Sequence, residues 1–340
     1  MTPSATQVQP PPGSAGMPLV SIIVITYNDA AHVCEAVDSA LAQTYPNCEV
    51  IVSDDGSTDG TPELIARKYG ERVRYYRKAN GGMGSARAAG LDVARGEMVQ
   101  HLDSDDLLFP DKIRLHVQYL QSHPQIAMVY GKALCFYDED KSYTYDFGNN
   151  ALARSGHVLN DILVHGNWVV LGQPLFRREW IDRVGGWDRK IVTSDDYDIT
   201  IRLAYAGAEI AFLDGDPVFL YRQRRQIFDP TDPRTWRSPQ TLARAELYVL
   251  EKLHRQMVED RRPELAALDR RIGDRRFVLG KLLYRAGQRR EALAMMWSGL
   301  RRDRRSAGKK LSYIALAMVV PGPWLLKLKH KLTARKAAAR

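Results

Sequence analysis

Asp103, Asp105 and Asp106 crowd together directly after Glu97-Met98-Val99-Gln100-His101-Leu102, which reads as a strand. Carboxylates this close repel one another unless a cation or a proton compensates them, and hard oxygen donors suit Mg²⁺ or Mn²⁺. Alternate residues of an extended backbone face the same way, so Asp103 and Asp105 can reach one ion. The same residues also suit an acidic turn, with Asp106 capping the helix signalled by Pro110 and Asp111. A second cluster, Asp54-Asp55-Gly56-Ser57-Thr58-Asp59, offers a carboxylate able to accept from an imide N–H such as that of uracil, or simply to close a turn. A third, Asn80-Gly81-Gly82-Met83-Gly84, can bring backbone N–H groups to a phosphate at the start of the next helix. It lacks both the GxGxxG spacing and the GK[ST] ending, which excludes dinucleotide-fold and P-loop assignments.

These clusters need elements to hold them. Leu19-Val20-Ser21-Ile22-Ile23-Val24-Ile25 reads as a strand covered on both faces. Residues 31–42 place Val33, Ala36, Val37, Ala40 and Leu41 at helical spacing. Glu49-Val50-Ile51-Val52 and Val73-Arg74-Tyr75-Tyr76 are further strands. Thr61-Pro62-Glu63 predicts a helix start with Thr61 as cap, and residues 85–94 a second helix. Alternating strands and helices predict a mostly parallel α/β sheet, whose ligands collect beyond the strands' carboxyl ends. Thr26-Tyr27-Asn28, Asp54-Asp55 and Asp103-Ser104-Asp105 all fall at such ends. Residues 128–136 are strand-like. After a linker at Asp229-Pro230-Thr231-Asp232-Pro233 the chain reads as helical, with an ordinary helical hairpin over residues 277–301.

The ordered series is more specific than any member. Val20-Ser21-Ile22-Ile23-Val24-Ile25-Thr26-Tyr27-Asn28, Ser53-Asp54-Asp55-Gly56-Ser57-Thr58-Asp59, Asn80-Gly81-Gly82, Ser85-Ala86-Arg87 and Leu102-Asp103-Ser104-Asp105-Asp106 together resemble family 2 glycosyltransferases. The resemblance continues through Arg177-Arg178-Glu179, Gly185-Gly186-Trp187-Asp188 and Asp195-Asp196-Tyr197-Asp198, and ends near Tyr221-Arg222. It implies a GT-A fold: a Rossmann-like, mostly parallel central sheet flanked by helices, here with a helical C-terminal extension. With composition and patterning outside the resemblance, the expected domains are a disordered leader (1–17), the transferase domain (18–228), a helical extension (229–310) and a basic amphipathic tail (311–340).

The resemblance also implies a non-processive, hexosyltransferase-like enzyme. It would move a sugar with inversion from a nucleoside diphosphate sugar, uridine favoured, to a hydroxyl of a glycan or lipid-linked acceptor, as in polysaccharide and cell-envelope synthesis. By this correspondence Thr26, Tyr27 and Asp54 hold the nucleoside, and Arg87, Asp103 and Ser104 approach the nucleotide. Asp103 and Asp105 hold Mg²⁺ or Mn²⁺, and Asp196 is the base. Asp195, Trp187, Arg222 and Arg224 are weaker candidates for contact with acceptor or diphosphate. The capping alternative for the Asp195-Asp196 pair is a helix start with Ser194 as cap. His101 reads as structural, while Trp168, like Trp187, suits either stacking on an acceptor sugar or packing in the core. Departures from the family pattern are Ala88 for an Asn, Asp195 for a Glu, and Arg224 for a His. No QxxRW motif is present, which argues against a processive synthase. The competing reading is a catalytically inactive nucleotide-sugar-binding or membrane scaffold protein.

Composition is that of a globular chain, 45% hydrophobic and 26% charged. The net charge of +9 admits phosphate-bearing substrates, anionic membranes or nucleic acid. No nucleic-acid motif or stacking platform accompanies it, so no nucleic-acid partner is expected. Cys34, Cys48 and Cys135 lack metal-site spacing and fit a reducing cytoplasm. Residues 311–326 are strongly apolar, broken by Pro321-Gly322-Pro323, and followed by Lys327, Lys329, Lys331 and Arg335. They are too short to span a bilayer. They predict a peripheral element on an anionic inner membrane face, with packing on the protein as the alternative.

Overall fold

The computed structural model describes residues 16–137, 142–144, 153–223 and 238–320. Apolar and β-branched residues fill Val20–Thr26 (β1), and every one of them is buried, as a central strand requires. Four parallel strands form this half of the sheet. Cys48–Asp54 (β2) and Met98–Asp103 (β4) flank β1, and Arg74–Arg77 (β3) pairs with β2. Helices Val33–Leu41 (α1), Thr61–Tyr69 (α2) and Met83–Val93 (α3) alternate with them. Val33, Ala36 and Val37 of α1 and Ile65 of α2 join Val20, Ile22 and Val24 in one apolar core. On the opposite face Ile23 meets α3 at Gly90, where a Cβ would come within 2.4 Å of the isoleucine Cγ2. The glycine lets α3 lie against the sheet.

The remaining strands are Leu107–Leu108 (β5), Ile126–Gly131 (β6), Ala133–Tyr137 (β7), Tyr143–Thr144 (β8), Leu175–Arg177 (β9), Glu209–Leu213 (β10) and Phe219–Gln223 (β11). The main sheet has the order β10-β6-β9-β4-β1-β2-β3, and β9 runs antiparallel to both neighbours. A smaller sheet, β5-β11-β7-β8, adjoins the chain that leaves β4. Helices Lys112–Ser122 (α4), Arg178–Arg183 (α6) and Asp195–Tyr205 (α7) complete this part, whereas Leu159–His165 (α5) belongs from Asn160 onward to a second compact unit. The fold is therefore α/β with a mostly parallel central sheet between helices, of GT-A type.

Two sequence expectations change. The strand-like run 128–136 is two strands in different sheets, divided at Lys132. Thr61 does not cap α2: Gly60 occupies the cap with φ 87°, and Asp59 accepts from both the Thr61 amide and hydroxyl.

Inside the α/β part, Lys112 and His116 of α4 are wholly buried. The Lys112 Nζ makes one described hydrogen bond, 3.3 Å to the Pro174 carbonyl, and neither His116 nitrogen has a partner among the described residues. Burial pushes both pKa values well below their ordinary ranges, with Lys112 adding to the effect on His116. A poorly paired buried amine costs more than a methionine of similar volume. Lys112→Met is therefore expected to raise unfolding free energy by about 1–3 kcal/mol, read from urea midpoints. The unfolded chain binds the extra protons, so the wild type loses stability as pH falls below the unfolded values, and the variant loses less.

The chain forms two compact units, residues 1–159 with 167–227 and residues 160–166 with 228–340. The second contains Pro239–Glu259 (α8), Leu265–Arg285 (α9), Arg289–Arg302 (α10) and Ala307–Val319 (α11). Ser238 caps α8 by accepting from the Thr241 amide at 3.1 Å, with Pro239 in the first turn. Leu268, Ile272, Leu279 and Leu283 of α9 and Ala292 and Met296 of α10 are buried together with Leu250 and Met257 of α8. The hairpin expected over residues 277–301 is α9 with α10. The predicted leader and linker, and the tail beyond residue 320, lie outside the described residues.

Candidate active site

Strand register alone gathers the polar clusters. Thr26 pairs across from Asp54, and Ile25 across from Asp103, so three strand ends stop on one edge. The loop after β1 is then clasped to the loop after β2. Asn28, with φ 50°, accepts from the Thr58 amide at 2.7 Å and donates its own amide to Ser57 at 2.9 Å. The Ala30 amide donates to Asp59 at 2.9 Å. Tyr27 stands out from this clasp, 51% exposed, with its ring open to a ligand. Thr26 is buried, and its hydroxyl has no hydrogen-bond partner among the described residues.

A single guanidinium organises the centre. Arg87, midway along α3 and 1% exposed, donates to Asp103 at 2.7 Å and also to Asp195 in the first turn of α7. Burial works against its charge, but Asp103 and Asp195 outweigh that and hold its pKa above the ordinary arginine value. Its face lies 5.8 Å from the Trp187 ring, and His101 packs edge-on against the same tryptophan. Burial first, then Arg87, pushes the His101 pKa well below its usual value. His101 is thus a neutral packing residue, as the sequence suggests.

Asp196 follows Asp195 and is half-buried. Its carboxylate accepts from the Tyr197 amide at 2.7 Å and from the Asn167 side chain at 3.1 Å. Desolvation first, and the Asp195 charge second, push its pKa up to about 7. That is where a proton acceptor works best near neutral pH. Ser194 occupies the helix cap position with φ 63° but makes no side-chain capping bond.

Other predicted site residues are placed differently from expectation. Asp54 is fully buried: Ser57 donates to one oxygen through amide and hydroxyl, 2.8 and 2.6 Å, and Tyr75 donates to the other. No oxygen is open to a base in this arrangement. Trp187 is 4% exposed and packs on His101 and Phe176, so it has no face for stacking an acceptor sugar. Arg222, 1% exposed, braces the acidic loop rather than facing a ligand. Its amide donates to Asp106 and its Nε to the Asp105 carbonyl, 2.8 and 2.6 Å, while the guanidinium also reaches Glu35. Asp106 is thus a tie to β11 and not a helix cap. Ser104 donates to Asp29 at 2.8 Å. Arg224 lies outside the described residues.

The glycine loop is corrected too. Gly81 and Gly82 amides donate to the Asp55 carboxylate at 3.0 and 2.7 Å, and Lys78 pairs with it at 2.6 Å. The anion at the start of α3 is the chain's own. Gly82 is required there, since its φ is 87° and a Cβ would press on Val192 at 3.0 Å.

Among the described residues no group of three or more His, Cys, Asp or Glu side chains is arranged to hold a metal ion. The donor set nonetheless fits a divalent cation shared with a substrate. Asp103, with its side chain 26% exposed, and half-buried Asp105 are hard oxygen donors at the open edge, and diphosphate oxygens could supply the rest. Asn167, Asp29, Tyr75 and Lys78 were not anticipated. Each works through a partner far away in the sequence, and only the Asp54-Asp55 motif hinted that such partners must exist.

A parallel sheet whose strand ends carry an Asp-x-Asp loop opposite a helix-borne carboxylate pair defines a GT-A glycosyltransferase domain. Residues 21–182, a little under half of the chain, match the profile "Glycosyl transferase family 2". An uncharacterized glycosyltransferase of Rickettsia typhi is 38% identical over 191 residues, 54% of this chain and 57% of that protein. The chain thus spans little more than half of that relative. Among solved structures, S. aureus TarS superposes with TM-score 0.63 at 18% identity, covering 88% of this chain and 52% of that one. A Pyrobaculum calidifontis mannosyltransferase solved with GDP-Man and Mn²⁺ gives TM-score 0.55 at 22% identity, covering 93% and 81%.

Proposed function

We propose that the protein is an inverting, metal-dependent transferase moving one sugar per encounter from a nucleoside diphosphate sugar to a hydroxyl of a glycan or glycolipid. The observation that carries this reading is the Arg87 bridge. One buried guanidinium joins Asp103, on the donor side, to Asp195, whose neighbour Asp196 has a proton affinity suited to a base. Asp196 removes the acceptor hydroxyl proton as oxygen attacks the anomeric carbon, and the diphosphate leaves from the opposite face. Asp103 and Asp105 would hold Mg²⁺ or Mn²⁺, which supplies charge stabilisation to the departing diphosphate. Tyr27 offers its exposed ring to the base.

Uridine remains the favoured base. The uracil imide N–H is complementary to a carboxylate, and Asp54 would accept from it only once the Tyr75 hydroxyl is displaced from its oxygen. The family likeness supports a nucleotide-sugar donor, since the mannosyltransferase named above was solved with GDP-Man and a TarS fragment with UDP-GlcNAc.

The test is nucleotide release across UDP- and GDP-sugars with Mn²⁺ or Mg²⁺, with the product anomer read by NMR. A UDP-sugar is expected to turn over with inverted configuration, and chelation to lower the rate by about 100-fold or more. A chain that binds nucleotide sugars yet turns over none would instead be the scaffold protein. Retained configuration would end the single-displacement reading.

A further inference from the structure

Helix α11 is held on its inner side and bare on its outer side. Ile314 and Ala317 are buried, and Tyr313 packs between the Phe277 and Tyr284 rings. Its first turns are locked by Lys310, which donates to the Asp303 carboxylate at 2.7 Å and to the Asp303 carbonyl at 3.0 Å. Its last carbonyls are met by Arg289 and by the Tyr284 hydroxyl, the former 3.1 Å from Ala317. The helix is therefore fixed in rotation. Its outward face carries Leu311, Leu316, Met318 and Val319, which are 43, 41, 44 and 80% exposed. Ala315 and Ser312 complete that face, and exposed Lys309 stands at its N-terminal end, one turn before Ser312.

Charge in the surrounding sequence is one-sided. After Asp303 there are ten lysines and arginines and no acidic residue, against a net charge of +9 for the whole chain. The excess positive charge of the protein thus belongs to the sequence that contains and follows this apolar face. We infer that the outer face of α11 docks on an anionic lipid surface, with the lysines that follow it pairing with lipid headgroups. Aliphatic side chains without aromatic or arginine anchors suit acyl chains better than a protein hot spot, which favours Trp, Tyr and Arg. Flanking cations add attraction to anionic headgroups, and Trp324 in the following sequence is of the type that settles at the interface. Among the described residues no helix is long and apolar enough to cross a membrane. The inference does not depend on the proposed sugar transfer, because docking requires neither donor nor metal.

Cosedimentation of the full chain with vesicles tests it. Phosphatidylcholine vesicles containing about 30 mol% phosphatidylserine are expected to bind about 100-fold more tightly than pure phosphatidylcholine, and about 0.5 M NaCl to erase most of the difference. Leu316→Glu/Val319→Glu, at exposed positions, should lower binding by about 100-fold with an unchanged melting temperature. Lys327→Glu/Lys329→Glu/Lys331→Glu should lower it comparably. Nucleotide release from donor in solution should be the same in both variants as in wild type. The inference is overturned if wild type ignores both vesicles or binds them equally, or if the Leu316/Val319 variant binds as wild type does. It is equally overturned if wild type self-associates without lipid and that variant does not, since a second copy would then be the occupant.

Discussion

Asp196→Asn is expected to lower kcat by about 10³-fold while leaving donor KM within about twofold. The amide keeps the shape of the carboxylate and can still accept from the Tyr197 amide. What it loses is the ability to take a proton. The wild-type pH profile should carry the same signature. With the carboxyl pKa pushed up to about 7, kcat/KM falls about tenfold per unit as pH drops below that value, because the base is then protonated. The residual activity of the variant should show no such limb. Stability moves the other way. A folded pKa raised above the ordinary aspartate value gives stability present in acid and lost as pH rises towards 7, and the variant escapes that loss. A variant that turns over at the wild-type rate would remove Asp196 from the mechanism.

Replacing Arg87 by methionine should act on fold and chemistry together. Its loss leaves Asp103 and Asp195 without their cation, with Asp196 adjoining, in a place where Arg87 itself is 1% exposed. Removing one partner of such a buried pair costs about 3–5 kcal/mol, which should appear as a lower urea midpoint. Arg87→Lys should recover little, because an ammonium cannot present two N–H groups to two separate carboxylates in the fork geometry. Adding Asp195→Asn to Arg87→Met should restore part of the stability, and the double-mutant cycle then measures their coupling. Additive effects would show that the bridge is not a unit. Activity should remain low in the double variant, because Asp103 has lost its brace.

The sheet and the acidic loop were legible in the sequence because both are local. Short runs rich in apolar and β-branched residues mark β1 and β2, Met98-Val99 and Leu102 mark β4, and Asp103 and Asp105 are two residues apart on one strand exit. Asp195-Asp196 was legible through the ordered family series. Residues whose role is set by a distant partner were not. Asp54, Arg222 and Trp187 look like polar or aromatic residues awaiting a ligand. In the fold, Tyr75, the Asp105 carbonyl and His101 have already met them. Asn167 carries no periodicity or motif, and only the close approach of its loop to α7 reveals that it orients the Asp196 carboxylate. The division of residues 128–136 was hidden because β6 and β7 are both apolar, and Lys132 between them reads as an ordinary outward residue.

Asp55 at the head of α3 has a kinetic consequence. A helix terminus already neutralised from within exerts little pull on an arriving diphosphate. Lys78 is engaged by that same aspartate, Arg87 by two others, and Arg222 by Glu35 and the acidic loop. The described edge therefore greets the donor with carboxylates more than with cations, and the naked nucleotide sugar should be repelled. Metal and donor should consequently arrive as one preformed complex, so that initial rates follow its concentration rather than that of either component alone.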